Sequence, residues 1–157
     1  MSHLAATPQK ILNRRGEIIH EGEFFSPRGC LKDAIRKRKS LLGIDLQGFN
    51  LSGMDLSGVD FTAADLRNVN FYGANVTGAT FNGSNLKLAT FKYNAEIQDG
   101  AFDGAVNLED IDIMDDRGQE IDGAYMSPNG IILPEEVADV SAVSALTGME
   151  KTSRPRL

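Results

Sequence analysis

From residue 44 to residue 93, an apolar residue recurs at every fifth position without a slip. The ten central residues are Leu46, Leu51, Leu56, Phe61, Leu66, Phe71, Val76, Phe81, Leu86 and Phe91. A period of five suits neither regular element: it would scatter these side chains around a helix and alternate them between the faces of a strand. The pattern therefore predicts a chain that turns once per block, so that every central side chain points into a shared core.

The other positions of these blocks carry the chemistry of turns. Asp, Asn or Thr precedes every central residue, and such short side chains hydrogen-bond to nearby backbone groups at corners. Gly stands two residues after the centre in six of the ten blocks, where a tight turn can require a positive φ. The blocks are therefore expected to form short strands that are joined by corners and stacked in successive coils.

The run over residues 43–66, GIDLQGFNLSGMDLSGVDFTAADL, resembles the pentapeptide-repeat family, whose loose motif is Ala-(Asp/Asn)-Leu-X-X. The resemblance covers about half of the chain and includes neither end. It implies a mainly β fold, namely a right-handed, four-sided parallel β-solenoid with four blocks per coil.

Two one-residue slips follow the regular blocks. The pattern resumes with Ile97 and Phe102 and then with Leu108 and Ile113. The resulting blocks would make about 3.5 coils, in which every fourth central residue stacks on the next. The predicted core columns are Leu46/Leu66/Leu86/Leu108, Leu51/Phe71/Phe91/Ile113, Leu56/Val76/Ile97 and Phe61/Phe81/Phe102.

The first coil departs from the motif, because large residues replace the small residue that the family has two positions before each centre. These residues are Ile44, Phe49, Met54 and Val59. We expect them to pack against a cap, since an open solenoid end would expose core residues and unpaired strand edges.

The segment before the repeats predicts such a cap. Residues 10–20 contain two short β-prone runs around a turn, which indicates a hairpin arm over residues 1–25. Ser26 and Pro27 are a helix-start signal, and Cys30, Leu31, Ala34 and Ile35 then fall on one side of a helix from about residue 27 to 40. Residues 26–42 are therefore expected to be a capping helix on a solenoid that spans residues 43–115.

A C-terminal extension is expected over residues 116–157. Residues 116–119 (DRGQ) and 127–130 (SPNG) are typical of turns, and the second favours a hairpin. A helix start at Pro134 and an end at Gly148 are predicted, followed by a mobile tail.

Charge is distributed unevenly within a net charge of −6. Residues 1–43 carry nine Lys/Arg against four Asp/Glu, whereas residues 44–115 carry three against eleven. The candidate acidic surface consists of Asp45, Asp55, Asp60, Asp65, Asp110 and Asp112. The candidate basic surface consists of Arg36, Lys37, Arg38 and Lys39, for which a solvated helix face is favoured over direct nucleic-acid binding.

Candidate chemistry is sparse. His3 and His20 are expected at the surface, and Cys30 is expected to be a buried, reduced thiol. The carboxylates of Asp110, Asp112, Asp115 and Asp116 miss the spacing of a known calcium loop, so a solvated acidic edge is favoured there. We therefore predict no catalytic residue, no cofactor and no metal. No apolar run is long enough to span a membrane, so a cytoplasmic protein is expected, or a virion component if a phage encodes it.

Two functions remain open. The favoured one is a non-enzymatic protein-interaction or assembly module, which uses its non-repeat ends to bind protein partners or a second copy of itself and which a phage could encode as a structural or accessory protein. The alternative comes from the best-understood relatives, acidic proteins that mimic DNA and bind gyrase or another DNA-handling enzyme. Three and a half coils span only about 17 Å, or about five base pairs of DNA, which is short for a mimic.

Overall fold

The computed structural model describes residues 4–135. Its elements in chain order are β1 (Thr7–Leu12), β2 (Ile18–Phe24), α1 (Pro27–Arg36), β3 (Thr90–Lys92), a 3₁₀ turn (Leu108–Asp110), β4 (Asp112–Met114), β5 (Tyr125–Ser127) and β6 (Gly130–Ile132). Within that range, no helix has the length and apolar character needed to cross a membrane. The helix predicted after Pro134 and the tail from residue 149 fall outside the described residues.

The regular blocks stack with a spacing of 20 residues. Parallel bridges join Asp45 to Asp65, Asn50 to Asn70, Asp55 to Asn75, Asp60 to Thr80, Asp65 to Asn85 and Asn70 to Thr90. At the first of them, the N–H of Leu46 donates to the carbonyl of Asp65 (2.9 Å), and the N–H of Asp65 donates to the carbonyl of Ile44 (2.8 Å). Twenty residues are four pentapeptides, so this part of the chain is a β-solenoid.

The core of the solenoid is formed by the central residues of the blocks. All ten regular centres are buried, with at most 2% of any of them exposed. The rings of Phe61, Phe81 and Phe102 stack in one column, with centroids 5.5 and 4.9 Å apart, and those of Phe71 and Phe91 stack at 4.8 Å. Burial of each such ring contributes about 1.5–3 kcal/mol.

The backbone conformation at the corners explains the choice of residue two positions after each centre. Gly58 has a φ of 67°, and in blocks without Gly the same corner position is taken by Ala63, Asn68 and Leu88, with φ values of 58°, 57° and 59°. Only glycine adopts this left-handed conformation without a steric penalty, so a non-Gly corner must be stabilised by the coils around it.

The last blocks correct one predicted column. The bridge from Asn85 leads to Val106, and Phe91 pairs with Ile113 in the sheet of β3 and β4. The second extra residue therefore lies after Val106. As a result, the residue that stacks next to Leu86 in its column is Asn107, and not Leu108. Leu108 instead begins the 3₁₀ turn after Asn107, whose φ is 62°, and it is half-buried, as is Ile97.

The N-terminal segment contains the expected hairpin and helix. β1 and β2 are antiparallel, and the Oγ of Ser26 accepts a hydrogen bond from the N–H of Gly29 (3.1 Å) at the start of α1. The helix ends at Arg36, earlier than the predicted residue 40, because Arg38 turns left-handed with a φ of 54°. The N–H of Lys39 then donates back to the carbonyl of Ala34 (3.0 Å), which closes the helix end.

Beyond β4, the chain folds back over the last coil. The N–H of Asp115 donates to the carbonyl of Gln119 (2.8 Å), and the N–H of Ile121 donates to the carbonyl of Ile113 (2.8 Å). β5 and β6 then form a short antiparallel hairpin around the second predicted turn. Ile121, Ala124 and Met126 are buried, so this extension adds to the core.

Candidate interaction surfaces

The N-terminal unit, which we define as residues 4–42, is bonded directly to the first coil, residues 43–62. The N–H of Asp45 donates to the carbonyl of Leu12 (2.9 Å), which extends the hairpin onto the solenoid. The guanidinium of Arg28 on α1 donates to the carbonyls of Asn50 (3.2 Å) and Ser52 (2.8 Å). The hairpin and the helix therefore each cover a part of the coil edge that would otherwise be unpaired.

The large residues of the first coil are buried or half-buried. Ile44, Met54 and Val59 are buried, with 0%, 4% and 9% exposed. Phe49 is half-buried and lines a groove together with Lys10, Ile11 and Leu12 of the hairpin. Phe49 and Val59 therefore lie beside residues of the N-terminal unit.

A polar cluster around the buried His20 holds α1 against the hairpin. The Nε2 of His20 lies 2.8 Å from a carboxylate oxygen of Asp33, and only 9% of the His20 side chain is exposed. Lys37 (2.8 Å) and Arg36 bind the same carboxylate. Hydrogen bonds from Lys37 first, then Arg36 and His20, hold the pKa of Asp33 well below its ordinary value.

The prediction that His20 lies at the surface is therefore wrong. His20 is paired with Ile11 across the hairpin, and Ile11 belongs to the hydrophobic core. Because directly opposed residues in an antiparallel pair share a face, the apolar Ile11 is the signal that would have placed His20 on the inner face. His3 lies outside the described residues.

Cys30 sits where the helix packs on the hairpin. It is completely buried, and its Sγ lies 3.8 Å from the carbonyl oxygens of Gln9 and His20. Burial raises the pKa of the Cys30 thiol, and the negative charges of Asp33 and Glu21 raise it further. These conditions favour the uncharged thiol, the less reactive form.

The candidate acidic surface is smaller than the sequence suggests. Asp55 and Asp60 are exposed, and hydrogen bonds from the hydroxyls of Ser57 and Thr62 lower the pKa of each carboxyl. Asp45, Asp110 and Asp112 are half-buried.

Asp65 does not belong to that surface. It is 6% exposed, and its two carboxylate oxygens accept hydrogen bonds from the guanidinium of Arg67 (2.8 and 2.6 Å). This pairing lowers the pKa of Asp65 and balances its charge within the coil. The sequence analysis missed the pair because it assigned Asp65, like the other corner carboxylates, to the exposed acidic surface.

The candidate basic surface is exposed along all four residues, but two of them are already paired. Arg36 and Lys37 bind Asp33, whereas Arg38 and Lys39 line a cleft of about 480 Å³. Residues 57–60 of the first coil also line that cleft. Arg38 and Lys39 therefore present their charge beside the solenoid edge and not on a helix face.

The C-terminal extension is bound to the coils by a cluster of polar contacts that the sequence analysis did not predict. The Nζ of Lys92 lies 2.6 Å from Asp116, and the hydroxyl of Tyr93 donates to the same carboxylate (3.2 Å). The hydroxyl of Tyr72 donates to the backbone carbonyl of Asp115 (3.0 Å). The contact with Lys92 raises the pKa of the lysine and lowers that of Asp116.

The carboxylates around residue 115 serve local structure. One oxygen of the buried Asp115 accepts hydrogen bonds from the N–H groups of Arg117 and Gln119 (both 2.8 Å), and the other lies 3.6 Å from the Nε of Arg117. Across residues 4–135, no group of three or more His, Cys, Asp or Glu side chains is arranged to hold a metal ion.

Comparisons with known proteins concern the repeats. Residues 40–78 and 70–106 match a protein-family model described as Pentapeptide repeats, with eight copies. Among solved structures, a pentapeptide repeat protein from the thylakoid lumen of Arabidopsis thaliana matches with 31% identity over 45% of this chain, at a TM-score of 0.32. The match covers 43% of that protein's chain. No curated protein matches the chain significantly.

Proposed function

Residues 40–106 belong to the pentapeptide-repeat family, and from that premise we propose that the whole chain is a non-enzymatic protein-interaction or assembly module. Proteins with these repeats are generally non-catalytic and serve in protein interactions. In this proposal the solenoid is a scaffold, the N-terminal unit supplies the main binding surface, and the partner is a protein or a second copy of the chain.

The distribution of exposed apolar side chains carries the proposal. Five of the eight large apolar residues that are exposed in the described part of the chain belong to the N-terminal unit. They are Leu4, Leu12, Ile18, Phe25 and Leu42, with 86%, 37%, 49%, 77% and 61% exposed. Leu12 and Ile18 are paired across the hairpin, and apolar side chains that are exposed together favour protein contact, whereas isolated ones need no such explanation.

The proposal includes a complete architecture. The solenoid is right-handed and four-sided, comprises about 3.5 coils over residues 43–115, and is capped by residues 1–42 and extended by residues 116–157. The bridges at 20-residue spacing and the hydrogen bonds between the N-terminal unit and the first coil support it. We place the protein in the cytoplasm, or in a virion if a phage encodes it.

The DNA-mimic function is the second candidate, and one observation favours it. Residues 44–115 carry eight more acidic than basic side chains, and Asp55 and Asp60 on the first coil are exposed with lowered pKa values. The pairing of Asp65 with Arg67 reduces that surface. The interaction module is therefore the better supported function.

The test is affinity capture from a lysate of the natural host with three full-length proteins: the unaltered chain, a Phe25→Ser/Leu42→Ser variant and an Asp55→Asn/Asp60→Asn variant. Asn is the matched change because Asn50, Asn70 and Asn75 already stand at equivalent corners. We expect the first variant to lose the captured protein and the second to retain it. Loss in the Asn variant only, with competition by duplex DNA, would favour the mimic instead.

A further inference from the structure

The first coil contains a stretch of backbone that the N-terminal unit does not cover. In the second coil, the N–H of Asn75 donates to Met54 (2.8 Å), and its carbonyl accepts from the N–H of Leu56 (2.8 Å). Thr80 is bonded in the same way to Val59 (3.0 Å) and Phe61 (2.8 Å). Each coil therefore uses its upper edge, the one facing the N-terminal unit, to bind the coil before it.

The equivalent groups of the first coil have nothing before them to bind except the N-terminal unit. That unit supplies Leu12 for the N–H of Asp45 and Arg28 for the carbonyl of Asn50. For Asp55 and Asp60, by contrast, no residue between 4 and 135 bonds the backbone N–H or carbonyl. An unpaired strand edge of this kind is a template for another strand.

The uncovered edge at Asp60 forms one wall of the cleft described above, whereas Asp55 lies before the turn at residues 57–58 and does not line the cleft. Residues 57–60 lie on that side, and Ile35, Arg38, Lys39 and Leu41 lie on the other, around a volume of about 480 Å³. That volume is within the usual range for a bound ligand of about 300–1,000 Å³. The cleft therefore has room for a few residues of extended chain beside the edge.

Charged residues at the cleft and along the edge favour particular side chains in a bound segment. Arg38 and Lys39 are exposed and form no salt bridge with any described residue, whereas Asp55 and Asp60 hold negative charge along the edge itself. A strand in the cleft is thus favoured when acidic side chains face the two cations. At the edge, hydroxyl or amide groups fit best, as in the second coil, where Thr80 donates to Asp60 (3.0 Å) and Asn75 donates to Asp55 (3.2 Å).

We propose that an extended, acidic segment of a partner protein pairs its backbone with the uncovered first-coil edge at Asp60, with its Asp or Glu side chains against Arg38 and Lys39. Main-chain hydrogen bonds would supply affinity and the two cations would supply specificity. This inference rests on the proposed function and assigns a particular site to it.

Amide hydrogen exchange followed by NMR on the full chain tests the edge directly. Without a ligand, the amides of Asp55 and Asp60 should exchange at least tenfold faster than those of Asn75 and Thr80, their bonded counterparts in the second coil. Equal protection of all four amides would overturn the proposal, since the edge would then not be free.

Panning a random heptapeptide library on the full chain identifies the kind of segment that binds in the cleft. Enriched peptides should carry Asp or Glu, and their addition should slow exchange at Asp60 more than at Asp55, which lies outside the cleft. Arg38→Glu/Lys39→Glu should weaken their binding at least tenfold, whereas Lys32→Glu, an exposed change earlier on α1, should not.

The other outcomes separate the site from the function. Peptides that bind but protect amides elsewhere would refute the edge and leave an interaction module. Failure to enrich acidic peptides would also refute the edge, while the lysate capture with Phe25→Ser/Leu42→Ser would still decide the proposed function independently.

Discussion

The N-terminal unit and the regular coils share one hydrophobic core but are held together in different ways. In the coils, the same backbone and corner hydrogen bonds recur every five and every 20 residues, and each central side chain is buried. The N-terminal unit depends on single contacts that occur once, such as His20 with Asp33 and Arg28 with the first coil. It also contains five of the eight large apolar residues that are exposed between residues 4 and 135, so the two regions differ in their exposed surface as well as in their contacts.

The largest expected effect is on the stability of the regular coils. Phe81 is fully buried between the rings of Phe61 and Phe102. Phe81→Ala should lower the free energy of unfolding by about 3–5 kcal/mol in a urea titration, because it removes a large side chain from a packed core and leaves a cavity.

The matched control lies in the N-terminal unit. Phe25 is 77% exposed, so Phe25→Ala should change the free energy of unfolding by less than about 0.5 kcal/mol. Similar losses in the two variants would contradict the difference in burial between the coil core and the exposed side chains of the N-terminal unit.

A smaller effect is expected for a single polar contact within the N-terminal unit. His20→Ala removes a partly buried hydrogen bond to Asp33 and a ring contact with Phe24, so the free energy of unfolding should fall by about 1–3 kcal/mol. Amide exchange should become faster in β1, β2 and α1 and stay unchanged at the amides of Asn75 and Thr80.

Lys10→Ala is the control, since its ion pair with Glu21 is exposed and should contribute less than about 1 kcal/mol. If His20→Ala instead accelerates exchange throughout the coils, then the N-terminal unit and the solenoid open together and are not separately stabilised.

The smallest expected effect concerns one corner carboxylate. The hydroxyl of Thr62 holds the pKa of Asp60 below its ordinary value of 3.8, so the unfolded chain binds this proton more readily than the folded chain. The stabilisation is therefore complete above about pH 4 and is lost as the pH falls further. In urea titrations between pH 6 and pH 2.5, Asp60→Asn should lose less stability than the unaltered chain; an equal loss would show that Asp60 is not stabilised by its corner.

Periodic features were predictable from the sequence, whereas single contacts were not. The spacing of five identifies the ten regular centres, because a repeated pattern tests each position against its neighbours. The hairpin and the start of α1 at Ser26 also follow from local signals. His20, Asp65 and Asn107 were missed, since their environments depend on an opposed strand, a corner and the place where an extra residue enters the coil.

Hydrogen–deuterium exchange mass spectrometry on the complex with the captured partner tests most directly whether the N-terminal end is the binding surface. We expect binding to protect peptides from residues 4–42 and the first-coil edge around residues 55–60, and to leave residues 65–91 unchanged. Protection confined to residues 65–91 would contradict this view and would show that the side of the solenoid, and not its end, is the functional surface.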